Sequence, residues 1–156
     1  GAAYFRENNM VRRDGFIVQL PGPENSLGLV KFDMKNDNAI YLHDTPAKAL
    51  FAENERHRSH GCVRVHNALQ FAHMIAAADG TLDKFRQAMA TGEETFVDLN
   101  AEIPVRLMYH SAYVDGGKVQ FRTDAYGWDD DVARALGLQV TPRRTLRRHE
   151  TADFGP

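Results

Sequence analysis

The sequence predicts a mainly β fold, a twisted sheet or small sandwich with helices packed on its outside. Short apolar segments of strand length recur between turn signals, at residues 27–32, 39–43, 95–99 and 103–114. Asp115-Gly116-Gly117 is typical of a hairpin turn and predicts a return strand over residues 118–122. Fewer segments show helical spacing, so we expect strands to carry the fold.

The main predicted helix has recognisable ends. Asn67 is a favourable N-cap residue, and Gly80 is suited to end a helix. Between them, Leu69, Ala72 and Ala76 recur at helical spacing and predict the side that faces the core. Further helices are predicted near residues 47–51, 82–90 and 130–136.

Length and composition indicate one folded domain. The 156 residues are 43% hydrophobic and 26% charged, which suits a globular chain. We expect residues 1–140 to form this domain and residues 141–156, with four arginines, to form a flexible basic tail. The net charge of -2 gives no reason to expect a nucleic acid partner.

No apolar run in the sequence approaches the roughly 18 residues of a membrane span. The first residues also lack the basic-then-apolar order of a signal peptide. If the protein is secreted or anchored, we expect the responsible segment to lie upstream of this chain.

Cys62 is the only cysteine, so it cannot form a disulfide within the chain. A lone cysteine is either a small buried hydrophobic residue or a reactive thiol. A reactive thiol needs a base within hydrogen-bond reach to form the thiolate. Four histidines are candidates, namely His43, His57, His60 and His66.

The spacing favours His43 as this base. If the segment around Cys62 is extended, Val63 and Val65 face the core, and Cys62 faces the other way. A residue two positions along the same strand, such as His60, is about 7 Å away, whereas a neighbouring strand lies at about 4.8 Å. His43 ends a different predicted strand. Gly61 would leave room for a carbonyl group and an oxyanion hole.

Other interpretations are open at this point. A buried inert cysteine is commoner than a catalytic one. A zinc site from His57, His60, Cys62 and His66 is conceivable, but side chains in a row along one strand do not converge on one ion. We therefore expect neither a metal nor another cofactor. Arg64 could be a solvated surface charge.

Two motifs resemble the YkuD-type L,D-transpeptidases. These are Tyr41-Leu42-His43-Asp44-Thr45-Pro46 and Ser59-His60-Gly61-Cys62-Val63-Arg64-Val65, with residues 44–58 as the spacer. The segments around residues 20–32, 103–105 and 119–124 are similar to the YcbB-like periplasmic branch. The resemblance covers most of residues 16–130 and implies the family's β-sandwich catalytic domain, here lacking its N-terminal strands.

The resemblance also implies roles for individual residues. Cys62 matches the nucleophile, and His43 matches its base. Asp44 matches the residue whose backbone carbonyl orients the histidine, and Tyr41 and Gly61 match positions near the oxyanion hole. The residues assigned to substrate binding are His60, Arg64, Ser59 and Asn25.

The implied reaction is peptidoglycan 3–3 cross-linking through a cysteine thioester. The implied partners are a donor tetrapeptide stem, an acceptor stem and a carbapenem as inhibitor, with the missing N-terminal part of the domain as a further partner. The implied location is the periplasm, with a membrane anchor outside this chain. Three alternatives are open: an L,D-carboxypeptidase, an enzyme that anchors proteins to peptidoglycan, and a non-catalytic peptidoglycan-binding module.

Overall fold

The computed structural model describes residues 2–56, 58–59 and 61–140. Among these, residues 2–53, 59 and 61–103 form one compact unit, and residues 54–56, 58 and 104–140 form another. None of the helices in the described ranges is long and apolar enough to cross a membrane. The predicted tail at residues 141–156 lies outside the described residues.

The first unit begins with a helix and a hairpin that the sequence analysis did not predict. Helix α1 spans Ala2–Glu7, and strands β1 (Met10–Arg13) and β2 (Phe16–Gln19) pair antiparallel. The turn between the strands places Asp14 at φ 51° and Gly15 at φ 86°. Asp and Gly tolerate this left-handed region better than other residues, which is why the chain reverses here.

A small three-stranded sheet forms the centre of the first unit. Its strands are β3 (Lys31–Phe32), β4 (Leu42–His43) and β5 (Val63–Arg64). β4 lies in the middle, antiparallel to β3 and parallel to β5. The predicted strands at residues 27–32 and 39–43 are therefore present in shortened form. The prediction that Val63 faces the core is wrong, because this side chain is 38% exposed.

Two helices follow the sheet. α2 (Ala68–Asp79) and α3 (Leu82–Thr91) pack against each other. α2 begins after Asn67 and ends at Gly80 as predicted, but the Asn67 side chain makes no capping hydrogen bond. Asn67 instead adopts a left-handed conformation, with φ 53°. The predicted helix at residues 47–51 is a 3-10 helix, Lys48–Ala52.

The core of the first unit uses small side chains. Ala68, Ala72 and Ala76 are buried along one side of α2. Ala72 and Ala76 were predicted to face the core, whereas Leu69, also predicted to do so, is 36% exposed and Ala68 is buried in its place. Phe71 of α2 packs on Phe32 of β3 with ring centroids 5.4 Å apart, which joins this helix to the sheet.

The predicted strand at residues 95–99 is wrong, and so is the first part, residues 103–111, of the strand predicted at residues 103–114; only the end of the latter is a strand, in the hairpin described next. Neither residues 95–99 nor residues 103–111 contain a strand, and Phe96 is 77% exposed. An apolar segment becomes a strand only when a neighbouring strand completes its hydrogen bonds. Asp79 instead holds the residues between the two ranges, because its carboxylate accepts hydrogen bonds from the backbone N–H groups of Asn100 and Ala101 at 2.8 and 3.0 Å.

The second unit contains a hairpin and a helix. β6 (Ala112–Asp115) pairs antiparallel with β7 (Lys118–Phe121) across the predicted Gly-Gly turn, and α4 spans Asp129–Ala135. Both elements confirm the sequence prediction. Across the described residues the strands are short and the helices longer, so strand content is modest.

Candidate active site

The parallel pairing of β4 and β5 brings the two sequence motifs together. Leu42 lies opposite Val63, and His43 lies opposite Arg64. The Val63 N–H donates to the Tyr41 carbonyl at 3.2 Å, and the Val65 N–H donates to the His43 carbonyl at 2.8 Å. One residue earlier along both strands, Tyr41 stands beside Cys62. His43 is then the diagonal neighbour of Cys62, a separation that a long or aromatic side chain can span.

The backbone of the next residue fixes the His43 ring. His43 is 2% exposed, and its Nδ1 lies 2.5 Å from the Asp44 carbonyl oxygen. A carbonyl oxygen only accepts, so Nδ1 carries the proton and Nε2 is the acceptor. Burial lowers the pKa of His43, the bond to Asp44 opposes this, and the Arg64 charge lowers it further. The ring is therefore neutral at pH 7 and can take a proton.

Asp44 is itself held on three sides. Its N–H donates to the Val30 carbonyl at 2.8 Å, and its carboxylate accepts from the Leu29 N–H at 3.0 Å and from the Lys48 ammonium. Burial acts to raise the pKa of Asp44, but the bonds from Lys48 and Leu29 outweigh it, so the pKa is lowered. Asp44 stays ionised, and its backbone carbonyl has a fixed direction towards His43.

Gly28 makes room for this carboxylate. Gly28 has φ +65°, and a Cβ atom built on it would lie 2.5 Å from Cγ of Asp44. No residue with a side chain fits there without displacing Asp44.

A tight turn presents Cys62 to the same face. The Ser59 hydroxyl donates to the Cys62 carbonyl at 2.6 Å, and the Gly61 N–H donates to the Ser59 hydroxyl at 3.3 Å. Gly61 has φ +149°, and a Cβ atom there would meet nothing within 4 Å, so its backbone conformation rather than space requires glycine. Cys62 is half-buried and is one of the residues that line the pocket described next.

A pocket of about 350 Å³ opens over these residues. It is lined by Leu27, Asn38, Ala39, Ile40, Tyr41, His43, Ser59, Gly61, Cys62 and Arg64. The Asn36 side chain braces one wall, since its amide nitrogen donates to the carbonyls of Met34 and Ile40 and its oxygen accepts from the N–H groups of Asn38 and Ile40. This wall includes Ala39 at φ 51°, an unfavourable conformation for alanine.

The structure brings most of the predicted site residues together. Six of them line the pocket, namely Tyr41, His43, Ser59, Gly61, Cys62 and Arg64, and Asp44 stands behind His43. His60 lies outside the described residues, as does His57. The assigned roles remain predictions, although the placement of Asp44 has the geometry that its role needs.

Asn25 does not reach this pocket. Its side-chain nitrogen donates to the carbonyls of Gln19 and Leu20, and its oxygen accepts from the Leu27 N–H. These bonds close the loop before β3, so the structure gives Asn25 a bracing position. Its predicted contact with substrate remains a prediction.

Three residues behind the site were not predicted from the sequence. These residues are Gly28, Lys48 and Asn36. Their importance depends on contacts made in the folded chain, and no local sequence pattern shows which residue a loop glycine or a lysine will contact. A signal for Asn36 exists in the sequence, because Asn36-Asp37-Asn38 is typical of a turn, but a turn signal alone does not show that the turn forms a pocket wall. Within the described residues, no group of three His, Cys, Asp or Glu side chains is arranged to hold a metal ion.

Comparison with known proteins identifies the family of this chain. The family model of the YkuD L,D-transpeptidase catalytic domain matches residues 2–107. The chain therefore belongs to the YkuD L,D-transpeptidase family, and the fold class predicted from the resemblance is confirmed.

A relative from Haemophilus influenzae, named "Putative L,D-transpeptidase", is 34% identical over 118 residues. The match covers 75% of this chain and 24% of that protein. The chain thus spans about a quarter of the length of this curated relative.

Proposed function

We propose that the protein is a peptidoglycan L,D-transpeptidase that forms 3–3 cross-links through a thioester on Cys62. The single observation that carries the proposal is the strand pairing that places Cys62 and His43 on one face of the sheet, with the His43 ring fixed through Nδ1. A neutral, oriented imidazole beside a thiol is the arrangement that nucleophilic cysteine catalysis requires.

The first half of the reaction acylates the enzyme. Nε2 of His43 takes the thiol proton, and the sulfur of Cys62 attacks the carbonyl carbon of diaminopimelate at position 3 of the donor stem. The S–C bond forms, and the negative charge moves to the carbonyl oxygen. When this intermediate collapses, the C–N bond to D-alanine at position 4 breaks, and the protonated His43 gives its proton to the leaving amine.

The second half transfers the acyl group. The side-chain amine of an acceptor stem attacks the thioester carbon and loses a proton to His43, and the C–S bond breaks to restore the Cys62 thiol. Water in place of the amine would make the protein an L,D-carboxypeptidase, and a protein lysine would make it an anchoring enzyme. The same acyl-enzyme serves all three reactions.

The assembled pocket favours an enzyme over a non-catalytic binding module. A binding module has no need for a histidine whose tautomer is fixed or for a thiol on the pocket surface. The family supports peptidoglycan as substrate and, with it, the proposals that the protein works in the periplasm, is tied to the membrane by a segment outside this chain, and is acylated by carbapenems.

Intact-mass measurement tests the proposal. The purified protein is incubated with a tetrapeptide donor, with and without an acceptor stem, and with a carbapenem. We expect an acyl adduct on Cys62, release of D-alanine and a 3–3 linked product. Because Cys62 is the only cysteine, the adduct must vanish in Cys62→Ala. Undiminished cross-linking by that variant would refute the proposal, and hydrolysis without cross-linking would assign the carboxypeptidase reaction.

A further inference from the structure

The site face of the three-stranded sheet carries two rows of chemically active side chains. Lys31 lies opposite His43 in the antiparallel pairing, and His43 lies opposite Arg64 in the parallel one. Continuing the same register by one residue gives a second row, with Asp33, Tyr41 and Cys62. Directly opposed residues point to the same side of a sheet, so the reaction proposed above takes place beside both rows.

Lys31 links the two rows. Its ammonium lies 4.5 Å from the centroid of the Tyr41 ring and 2.6 Å from the Asp33 carboxylate. A cation at this distance from a ring face is attracted by the electron density of the ring, and the carboxylate restricts the lysine to that position. The His43 ring also contacts Tyr41, with centroids 5.8 Å apart and an edge-on angle of 66°. The Tyr41 ring therefore contacts both a cation and an imidazole.

The Tyr41 side chain contacts the Cys62 side chain, so the position of the Tyr41 ring affects the thiol. Burial raises the pKa of Tyr41, the side-chain contact with Cys62 raises it further, and the Lys31 charge acts in the opposite direction. The phenol therefore stays protonated at neutral pH and can donate a hydrogen bond. A donor beside the sulfur stabilises negative charge as His43 removes the thiol proton.

We propose that Lys31 is a positioning residue for the acyl transfer, because it fixes the Tyr41 ring so that the phenol hydroxyl remains beside the Cys62 sulfur. The inference rests on the proposed function for its biological meaning. Asp33 completes the arrangement by holding Lys31 over the ring. Lys31 needs no contact with substrate in this role, and it acts through Tyr41.

Alkylation of Cys62 by iodoacetamide tests this inference without requiring turnover. The rate is measured from pH 5 to 9 for the wild type, Lys31→Met, Lys31→Arg and Tyr41→Phe. Lys31→Met should slow alkylation at neutral pH roughly two- to fivefold and move the profile to higher pH, as expected for loss of one cation–π contact. Lys31→Arg should retain most of the rate, since a guanidinium also binds an aromatic face.

Two further variants separate positioning from a general effect. Lys35→Met removes a nearby exposed lysine that pairs with Glu102, and it should leave the profile unchanged. In the double variant Lys31→Met with Tyr41→Phe, the lysine substitution should add nothing to the effect of Tyr41→Phe. If it slows alkylation as much as it does in the wild type, Lys31 acts by its charge alone and the inference is overturned. A flat response to Lys31→Met also overturns it.

The outcome is distinguishable from failure of the proposed function. If the alkylation pattern is as expected but no variant or wild-type protein releases D-alanine, the positioning role stands and the reaction is wrong. Thermal unfolding of each variant, measured in parallel, identifies any change that comes from loss of the fold.

Discussion

Gly28 lies against the carboxyl group of Asp44. A Cβ atom built on Gly28 would lie 2.5 Å from Cγ of Asp44. Asp44 in turn orients the His43 ring through its backbone carbonyl. Gly28, fifteen residues before His43 in the sequence, thus limits where this ring can lie.

Gly28→Ala should therefore damage the site as well as the fold. The left-handed φ costs on the order of 1 kcal/mol for alanine, and the clash with Asp44 adds roughly 1–3 kcal/mol. Gly15→Ala is a matched control, because Gly15 has φ +86° with nothing within 4 Å. Denaturant unfolding should show a larger loss for Gly28→Ala, together with slower alkylation of Cys62. Equal losses in the two variants would contradict the packing argument.

The stability of the protein should fall as the pH is lowered through the range where His43 would ordinarily titrate. A histidine in the unfolded chain has a pKa of about 6.5, and burial lowers the pKa of His43 in the folded state. Below about pH 6.5 the unfolded state binds a proton that the folded state does not, so the free energy of unfolding decreases until the lower folded pKa is passed.

Denaturant unfolding of the wild type and His43→Asn between pH 8 and 5 measures this effect. The variant should lose part of the pH dependence, while the other histidines contribute equally to both curves. Parallel curves would show that His43 titrates normally in the folded protein.

Ser59 should support the nucleophile through its hydroxyl rather than by contact with substrate. The hydroxyl bonds both the Cys62 carbonyl and the Gly61 N–H, so Ser59→Ala releases the turn. Loss of one such bond predicts a roughly fivefold slower acylation of Cys62. Ser59→Thr keeps the hydroxyl and should retain the rate. Ser26→Ala, which removes a hydroxyl bonded to Gln19, is the control. Equal rates for Ser59→Ala and the wild type would exclude this role.

Arg64 should bind a carboxylate of the donor stem. It lies opposite His43 in the strand pairing and lines the pocket, where a guanidinium can bind an anionic group of a bound stem. Arg64→Lys keeps the charge but loses the bidentate geometry, so transfer from natural stems should fall by about tenfold or more. Carbapenem acylation should be spared, and Arg86→Lys on α3 serves as control. Equal slowing of both reactions would mean that Arg64 is structural.

The sequence was most informative where structure is local. The β6–β7 hairpin follows from Asp115-Gly116-Gly117, and the ends of α2 and α3 follow from Gly80 and Gly92. Each signal acts within a few residues, through a backbone conformation that few residues other than glycine adopt easily.

Features that depend on distant partners were not predictable in the same way. Residues 95–99 have strand-like composition but no strand, because composition cannot show whether a neighbouring strand is present. The nearness of His43 and Cys62 was inferred from motif spacing and is consistent with the structure. The parallel direction of β4 and β5 was not predicted. No pattern in the sequence pointed to Lys31, since its proposed role depends on contact with the ring of Tyr41, ten residues later in the chain.

The parallel direction of β4 and β5 also determines when during folding the pocket residues come together. Parallel strands cannot be joined by a tight turn, so residues 44–62 must close as one long loop before Tyr41 and His43 stand beside Cys62. The site proposed above therefore depends on a long-range pairing, and a chain in which β4 and β5 have not paired lacks the assembled pocket.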